Sequence, residues 1–571
     1  MKLRFPFLLR IFLVALFCVH LSYVPIGGRI PVYARSGMVV SSSSIASDVG
    51  KEILQKGGNA IDAAVATAFA LAVTWPSAGN VGGGGFIVYR SADGRVTSFD
   101  FREKAPLAAH ERMYLDEKGE LIPGINHRGL LSVGVPGTVA GLHKAHAKYG
   151  KLDWKKLVDP AIALARKGIP FSHALHQHSK NRRKEWEQIP STSAIMYKEG
   201  GAYYEPGEVW KQPDLARTLK RIRKHGHDGF YKGETADKLV AFMKKGGGLI
   251  THEDLEKYEA IERTPVEGQY RGYRVITMPP PSSGGVALIE MLNILEGYDL
   301  KSLGYHSAEY VHILTESMRR AYADRAEHLG DPDFNPDLPI NKLISKEHAE
   351  RLRQSISFDM ASASDSTRYG QLYEGTSTTH LSVVDKEGNA VSLTYTLENS
   401  YGAQIIADGL GFFLNDEMGD FNPVPGLTNS RGLIGSLPNQ IKPEKRMLSS
   451  MTPTIVEKDG KLFMVIGTPG GRTIINTVLQ VILNVIDHDM NIARAIEAPR
   501  IHHQWLPDRL NFEEYALSVD TQEKLRTKGH TLNEMNHALQ GHAMGIIVNQ
   551  ESGWLMGAAD SRSADGGVAG Y

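Results

Sequence analysis

The chain has one cysteine, Cys18, in 571 residues, and no surplus of charge of either sign. A lone thiol forms no internal disulfide, so covalent cross-links contribute nothing to the fold. Lys and Arg number 64, as do Asp and Glu, which implies no polyanionic partner. No basic stretch interleaved with aromatics points to nucleic acid. No Pro/Ser-rich linker, charge block or internal repeat divides the chain, although its length alone would allow several domains. Metal-ligand spacing is also lacking. His173, His176 and His178 are dense enough, yet no cysteine or acidic partner stands at ligand distance, so the segment reads as a solvated helix or loop. His502-His503 call for no metal either, and neither metal nor cofactor is expected.

An apolar run stands near the N-terminus. Lys2, Arg4 and Arg10 precede an apolar stretch from Ile11 to Val19, and Val32-Tyr33-Ala34 is a small-residue cleavage signal. This predicts a secretory signal over 1–34. The alternative is an uncleaved anchor, because apolar residues continue patchily to Ile26. Arg10 and His20 interrupt them, the run is short for a span, and no stable membrane anchor is expected. Phe17 before Cys18 argues against a lipoprotein signal. Beyond it, helical periodicity fills much of 45–75, 137–166, 285–327 and 473–497. Strand patterns cluster at 84–101 and 379–396, with more after 452, which predicts a layered α/β architecture.

Two places carry candidate chemistry. Residues 379–384 and 390–396 are β-branched-rich runs joined by Asp385-Lys386-Glu387-Gly388-Asn389, which is turn chemistry. A loop centred on Glu387 sets Thr378 opposite Thr396. That is either an ordinary cross-strand hydroxyl pair or a nucleophile beside its partner. Further on, Gly470-Gly471 separate a strand-like Leu462–Ile466 from a helical pattern starting at Thr473. A strand, a Gly-Gly turn and a helix start present backbone N–H groups that suit a phosphate or a developing oxyanion. Arg472 stands where a phosphate loop needs Lys, so the phosphate reading is the weaker; a plain turn is the third.

The segments TTHLSVVDKEGNAVSLTYT, LNDEMGDF, KRMLSSMTPTI and GTPGGRTII, in this order and spacing, resemble the small subunit of the γ-glutamyltranspeptidases. Upstream, GGNAIDAAVATAFALAVTWPSAGNVGGGGF, DFREKAP, SVGVPGTVAGL, PPPSSGGVAL and RRAYADRAEHLGDPDF agree, as does APRIHHQWLPD near the end. The resemblance runs from about residue 37 to Tyr571. It implies an N-terminal-nucleophile hydrolase with a four-layer αββα sandwich. It further implies a chain cut between Ser377 and Thr378 into a large subunit, 35–377, and a small one, 378–571, which remain together as a heterodimer with one core.

Position by position, the resemblance makes Thr378 the nucleophile, Thr396 its hydrogen-bonding partner, and Gly470 and Gly471 the oxyanion donors. Arg102, Ser449 and Ser450 would bind the substrate α-carboxylate, and Glu417 and Asp420 its α-ammonium. Glu398 stands where many members carry Asn and would also face the ammonium. Partners implied are glutathione and other γ-glutamyl compounds, with water, amino acids or peptides as acceptors. The alternatives are a cephalosporin (glutaryl) acylase or a poly-γ-glutamate transferase on the same scaffold, or a non-catalytic, unprocessed binding protein. Two further departures are Met447 in place of a usual Pro, and Arg431, at the aromatic position of a lid-length stretch, 425–440. An Arg gate there would alter acceptor choice, which assays of Arg431→Tyr with several acceptors test.

Overall fold

A computed structural model describes residues 29–364, 378–426, 436–535 and 540–571. Strands Thr378–Val384 and Ala390–Thr396 pair in the register that the turn predicts, with Thr378 opposite Thr396. Asp385 fixes the turn. Its carboxylate accepts from the Glu387 and Asn389 N–H groups at 3.0 and 2.9 Å, from Asn389 Nδ2 at 2.7 Å, and from the Ala60 N–H at 2.9 Å. The last bond ties the turn to the N-terminus of the helix Ala60–Thr74, where a carboxylate suits the dipole.

The hairpin is central in an antiparallel sheet ordered Gly567–Gly570, Met38–Ser41, Thr378–Val384, Ala390–Thr396, Gly84–Arg90, Val96–Phe101, Ile261–Arg263. Every residue of both hairpin strands is buried, so a layer must cover each face. On one face lies helix Ala60–Thr74, alanine-rich and buried along its whole length, with Tyr395 Oη donating to the Ala68 carbonyl at 2.9 Å. On the other lies a second antiparallel sheet: Val32–Ala34, Leu555–Ala559, Met544–Val548, Lys461–Gly467, Thr454–Lys458, Tyr273–Thr277, Val266–Tyr270. Its outer face carries helices Gly284–Leu295, Thr473–Ile486 and Ile492–Glu497. This is the expected four-layer αββα sandwich, and both sheets take strands from either side of residue 378.

Polar side chains stitch the two sheets. Ser392 Oγ donates to the Ile466 carbonyl at 3.0 Å and Ser382 Oγ to the Met544 carbonyl at 3.1 Å. His380 is wedged between Thr394 and Ser382 hydroxyls at 2.8 and 3.0 Å, and burial pushes its pKa down to about 3, so it is a neutral core residue.

The histidine segment departs from expectation. His173–Asn181 is a helix packed onto the body of the protein, not a solvated one. His176 is buried with Nδ1 donating to the Tyr204 carbonyl at 2.8 Å, and His178 pairs with Tyr401 Oη at 2.9 Å. Among the described residues no helix is long and apolar enough to cross a membrane.

Strand Gly84–Arg90 approaches the hairpin through glycines. A Cβ on Gly83 would stand 2.0 Å from the Thr396 carbonyl oxygen, whereas one on Gly388, at φ 89° in the turn, meets nothing within 4 Å. Gly83→Ala is therefore expected to destabilise the protein by about 1–3 kcal/mol and to impair activity by moving Thr396. Gly388→Asn should cost under about 1 kcal/mol. Thermal melts of both variants check this, and equal losses would contradict it.

Candidate active site

One small pocket is lined by Thr378, Thr396, Arg102, Glu398, Glu417, Asp420, Ser449, Ser450 and Gly471, with Met451 and Ile474. It gathers the site residues expected from sequence, drawn from both sides of residue 378; Gly470 adjoins Gly471. Ser377 and Arg431 lie outside the described residues. Thr378 is 5% exposed, and its Oγ1 stands 3.5 Å from Thr396 Oγ1. Thr396 is held from two directions. Its hydroxyl accepts from the Glu398 N–H at 2.8 Å, and its carbonyl accepts from Asn80 Nδ2 at 2.8 Å. Asn80 is itself fixed by Thr138 Oγ1 at 2.7 Å and the Gly83 N–H at 2.9 Å.

Arg102 follows strand Val96–Phe101 and is fully buried. Its guanidinium pairs with Glu417 and Asp420 and reaches the Met447 and Leu448 carbonyls, each at 3.3 Å. Glu103 stands 3.7 Å away. Burial opposes the Arg102 charge, but Glu417, Asp420 and Glu103 outweigh it and keep the group protonated. The acids bear the consequence. Burial, opposed by Arg102, pushes Glu103 up to about 8, and burial drives Glu417 well above the carboxylate range. Glu398 is also raised, by burial first and then by Asp416, Asp420 and Glu417. So many buried carboxylates around one guanidinium cannot all be ionised, and they share protons as a group.

Glu398 sits in the left-handed region at φ 75°, with its carboxylate 3.2 Å from His127 Nδ1. The short 3₁₀ turn Glu417–Asp420 passes close by: a Cβ on Gly419 would lie 2.2 Å from the His127 ring. Burial lowers the His127 pKa to about 4, leaving the ring neutral. Asn tolerates left-handed backbone better than Glu, so the Glu here is held in a conformation that an Asn would adopt with less strain.

Gly470 and Gly471 turn the chain from strand Lys461–Gly467 into helix Thr473–Ile486. Their φ values are 136° and 57°, and a Cβ on Gly470 would meet Thr473 Oγ1 at 2.6 Å. Their carbonyls accept from the Thr473 and Ile474 N–H groups at 3.2 and 3.1 Å. Among the described residues neither glycine N–H donates a hydrogen bond, which leaves a pair of donors at a helix start.

Ser449 and Ser450 rest on the proline-rich segment 279–285. The Ser449 N–H donates to the Pro281 carbonyl at 3.0 Å, and the Ser283 N–H donates to the Ser449 carbonyl at 2.8 Å. Arg325 spans Ser283 and Ser450 hydroxyls at 2.7 and 2.9 Å. Sequence reasoning assigned no role to Arg325, Ser283, Glu103, Asn80 or His127. The first four fall inside segments that carry the resemblance, so a signal existed for them; nothing marks His127.

Glu398→Asn should raise stability by about 1 kcal/mol through relieved backbone strain. The pH dependence has a definite sign. A carboxyl whose folded pKa lies above its unfolded value favours the native state most at low pH and loses that advantage as pH rises past the ordinary carboxylate range. The variant's gain over wild type should therefore grow between about pH 5 and 8. Melting temperatures across that interval check it, and a gain independent of pH would contradict it.

The profile of the family described as Gamma-glutamyltranspeptidase matches residues 46–571. A glutathione hydrolase proenzyme from Pseudomonas sp. (strain A14) is 49% identical over 98% of this chain and 97% of its own. Among solved structures, a cephalosporin acylase from Bacillus halodurans superposes with a TM-score of 0.83 at 28% identity, covering 96% of this chain and 98% of that one. A Helicobacter pylori gamma-glutamyltranspeptidase chain gives a TM-score of 0.56 at 45% identity, covering 59% of this chain and 95% of its own. The chain belongs to the gamma-glutamyltranspeptidase family.

Proposed function

We propose that this protein is an autoprocessed γ-glutamyltransferase and glutathione hydrolase. The observation that carries the reading is the juxtaposition of the Thr378 and Thr396 hydroxyls with a buried pocket holding one guanidinium and several carboxylates. A γ-glutamyl group presents one α-carboxylate and one α-ammonium, and few other acyl groups need both signs of charge at one end.

In maturation, Thr378 Oγ attacks the Ser377 carbonyl carbon, the Ser377–Thr378 C–N bond breaks as the C–O bond forms, and the nitrogen takes the hydroxyl proton. Water then hydrolyses the ester to the Ser377 carboxylate and the Thr378 hydroxyl, leaving Thr378 with a free α-amine. That amine, with an ordinary pKa of about 8, serves as base for its own hydroxyl. In turnover, Oγ attacks the γ-carbonyl, Gly470 and Gly471 N–H groups hold the oxyanion, and the leaving amine departs with a proton. Water or an acceptor amine then resolves the γ-glutamyl ester. Loss of one oxyanion donor typically costs about 10²–10³ in turnover. Arg102 with Ser449 and Ser450 takes the α-carboxylate, and a guanidinium suits that two-pronged task. Glu398, Glu417 and Asp420 take the ammonium.

The products are a large subunit from the N-terminal part to Ser377 and a small one from Thr378, sharing one core. Residues 1–34 act as an export signal. A cut after Ala34 would remove strand Val32–Ala34 from the sheet edge, where it pairs with 555–557. A cut farther upstream keeps that strand.

The rival reading is a glutaryl acylase, favoured by the likeness to the B. halodurans structure. Glutaryl lacks the ammonium, so it would leave the pocket's acids unpaired. Hydrolysis of γ-glutamyl anilide is expected to exceed that of glutaryl anilide by about 30-fold or more in kcat/KM, the scale of one lost buried charge pair. Equal rates, or a glutaryl preference, would move the assignment to the acylase.

A further inference from the structure

Outside the reacting pocket, two carboxylates meet an imidazole where three helices pack together. Glu290 lies in Gly284–Leu295, Asp324 in Ala308–His328 and His348 in Lys346–Gln354, and the first helix packs against both others. One ligand atom from each residue lies within 4.8 Å of the other two. His348 Nε2 stands 2.6 Å from Asp324 Oδ2. Glu290 is 1% exposed, and its Oε1 is buried with no hydrogen-bond partner among the described residues. One turn along the same helix face, the Asn293 amide oxygen is buried in the same unpartnered state.

Among the described residues no Lys or Arg answers either carboxylate. A buried carboxyl needs a paired charge, a proton or a metal ion. The trio of His312, Glu316 and His530 is different, because Arg319 and Arg320 engage Glu316 at 3.2 and 2.7 Å. At the Glu290 site the Asp324 and His348 side chains are 19% and 11% exposed, so a cation from solution has a way in. Two carboxylates and one imidazole are a donor set for a divalent first-row ion such as Zn²⁺. Ligand atoms around a tetrahedral zinc stand about 3.4 Å apart, so side-chain adjustments of about an ångström suffice. Arg351 opposes a cation there, since its Nη2 reaches His348 Nδ1 at 3.3 Å. That side chain is half exposed and also held by Glu347 at 2.6 Å, so it can withdraw.

We propose that Glu290, Asp324 and His348 form a divalent-cation site of the Zn²⁺ type that clamps the three helices together. The sequence alone predicts no metal, because ligands spread over three helices leave no spacing signal. Asp324 precedes Arg325, which spans the Ser283 and Ser450 hydroxyls, and Ser283 leads into the helix of Glu290. A bound ion would therefore brace the two helices that support Ser450. The proposal does not depend on the γ-glutamyl reading.

After chelation, equilibrium dialysis against Zn²⁺ with elemental analysis should find one more tightly held ion in the wild type than in Glu290→Gln or His348→Ala. Zn²⁺ at a hundredfold excess over Kd should raise the wild-type melting temperature by about 2 °C, and that of either variant by less. Arg351→Ala should tighten binding about threefold by removing a facing cation. Glu290→Gln keeps the side-chain shape, and its amide can donate to Asp324, so this variant should fold. X-ray absorption of the zinc-loaded wild type needs no variant, and one imidazole among oxygen ligands is expected. Equal ion counts in wild type and variants, or a bound zinc with two or more imidazoles, would overturn the proposal and leave a proton as the partner of Glu290.

Discussion

Asp385 collects four hydrogen-bond donors at the tip of a buried hairpin, and that one carboxylate ties turn geometry to chemistry. Strand side chains alternate with a period of two, so a slip of one residue in either strand would put Thr378 and Thr396 on opposite faces of the sheet. The turn fixes the register at one end. At the other, Asn80 holds the Thr396 carbonyl, and glycine 83 allows that approach. Two layers of covering structure then keep the pair dry, and a hydroxyl in a water-poor site feels nearby dipoles and charges more strongly.

The pocket beside that pair is unbalanced by design of its residues. Arg102 is enclosed with more carboxylates than it can neutralise, and burial pushes Glu103, Glu398 and Glu417 up. An assembly of this kind is weak evidence for stability, since desolvation offsets much of the attraction. It makes sense as an arrangement awaiting one more positive charge. An arriving α-ammonium lets the acids ionise, while the α-carboxylate takes over part of the guanidinium. On the proposed reading that charge pattern selects a zwitterionic end group, and the glycine corner at 470–471 would serve the other end of the same ligand.

Much of this was legible in the sequence because it rests on local rules. Turn chemistry over 385–389 fixes the Thr378–Thr396 pairing, and the strand–Gly-Gly–helix pattern fixes the donor corner. Arg102, Glu417, Asp420 and the serines came from resemblance, not from periodicity, since an Arg after a strand or an acid in a loop carries no local mark of function. What the sequence hid depends on contacts between distant segments. His127 reaches Glu398 across 271 positions, and Asn80 reaches Thr396 across 316. The histidines at 176 and 178 read as solvated because their neighbours are polar, yet Tyr204 and Tyr401 close over them.

The proposed chemistry depends on Thr378 becoming the N-terminal residue of a chain it has itself released. Denaturing intact-mass analysis of the purified protein, beside Thr378→Ala, tests it most directly. Two chains are expected in the wild type, the smaller beginning Thr-Thr-His-Leu-Ser, and one chain in the variant. A single uncut wild-type chain, or cleavage that persists without the Thr378 hydroxyl, would contradict it.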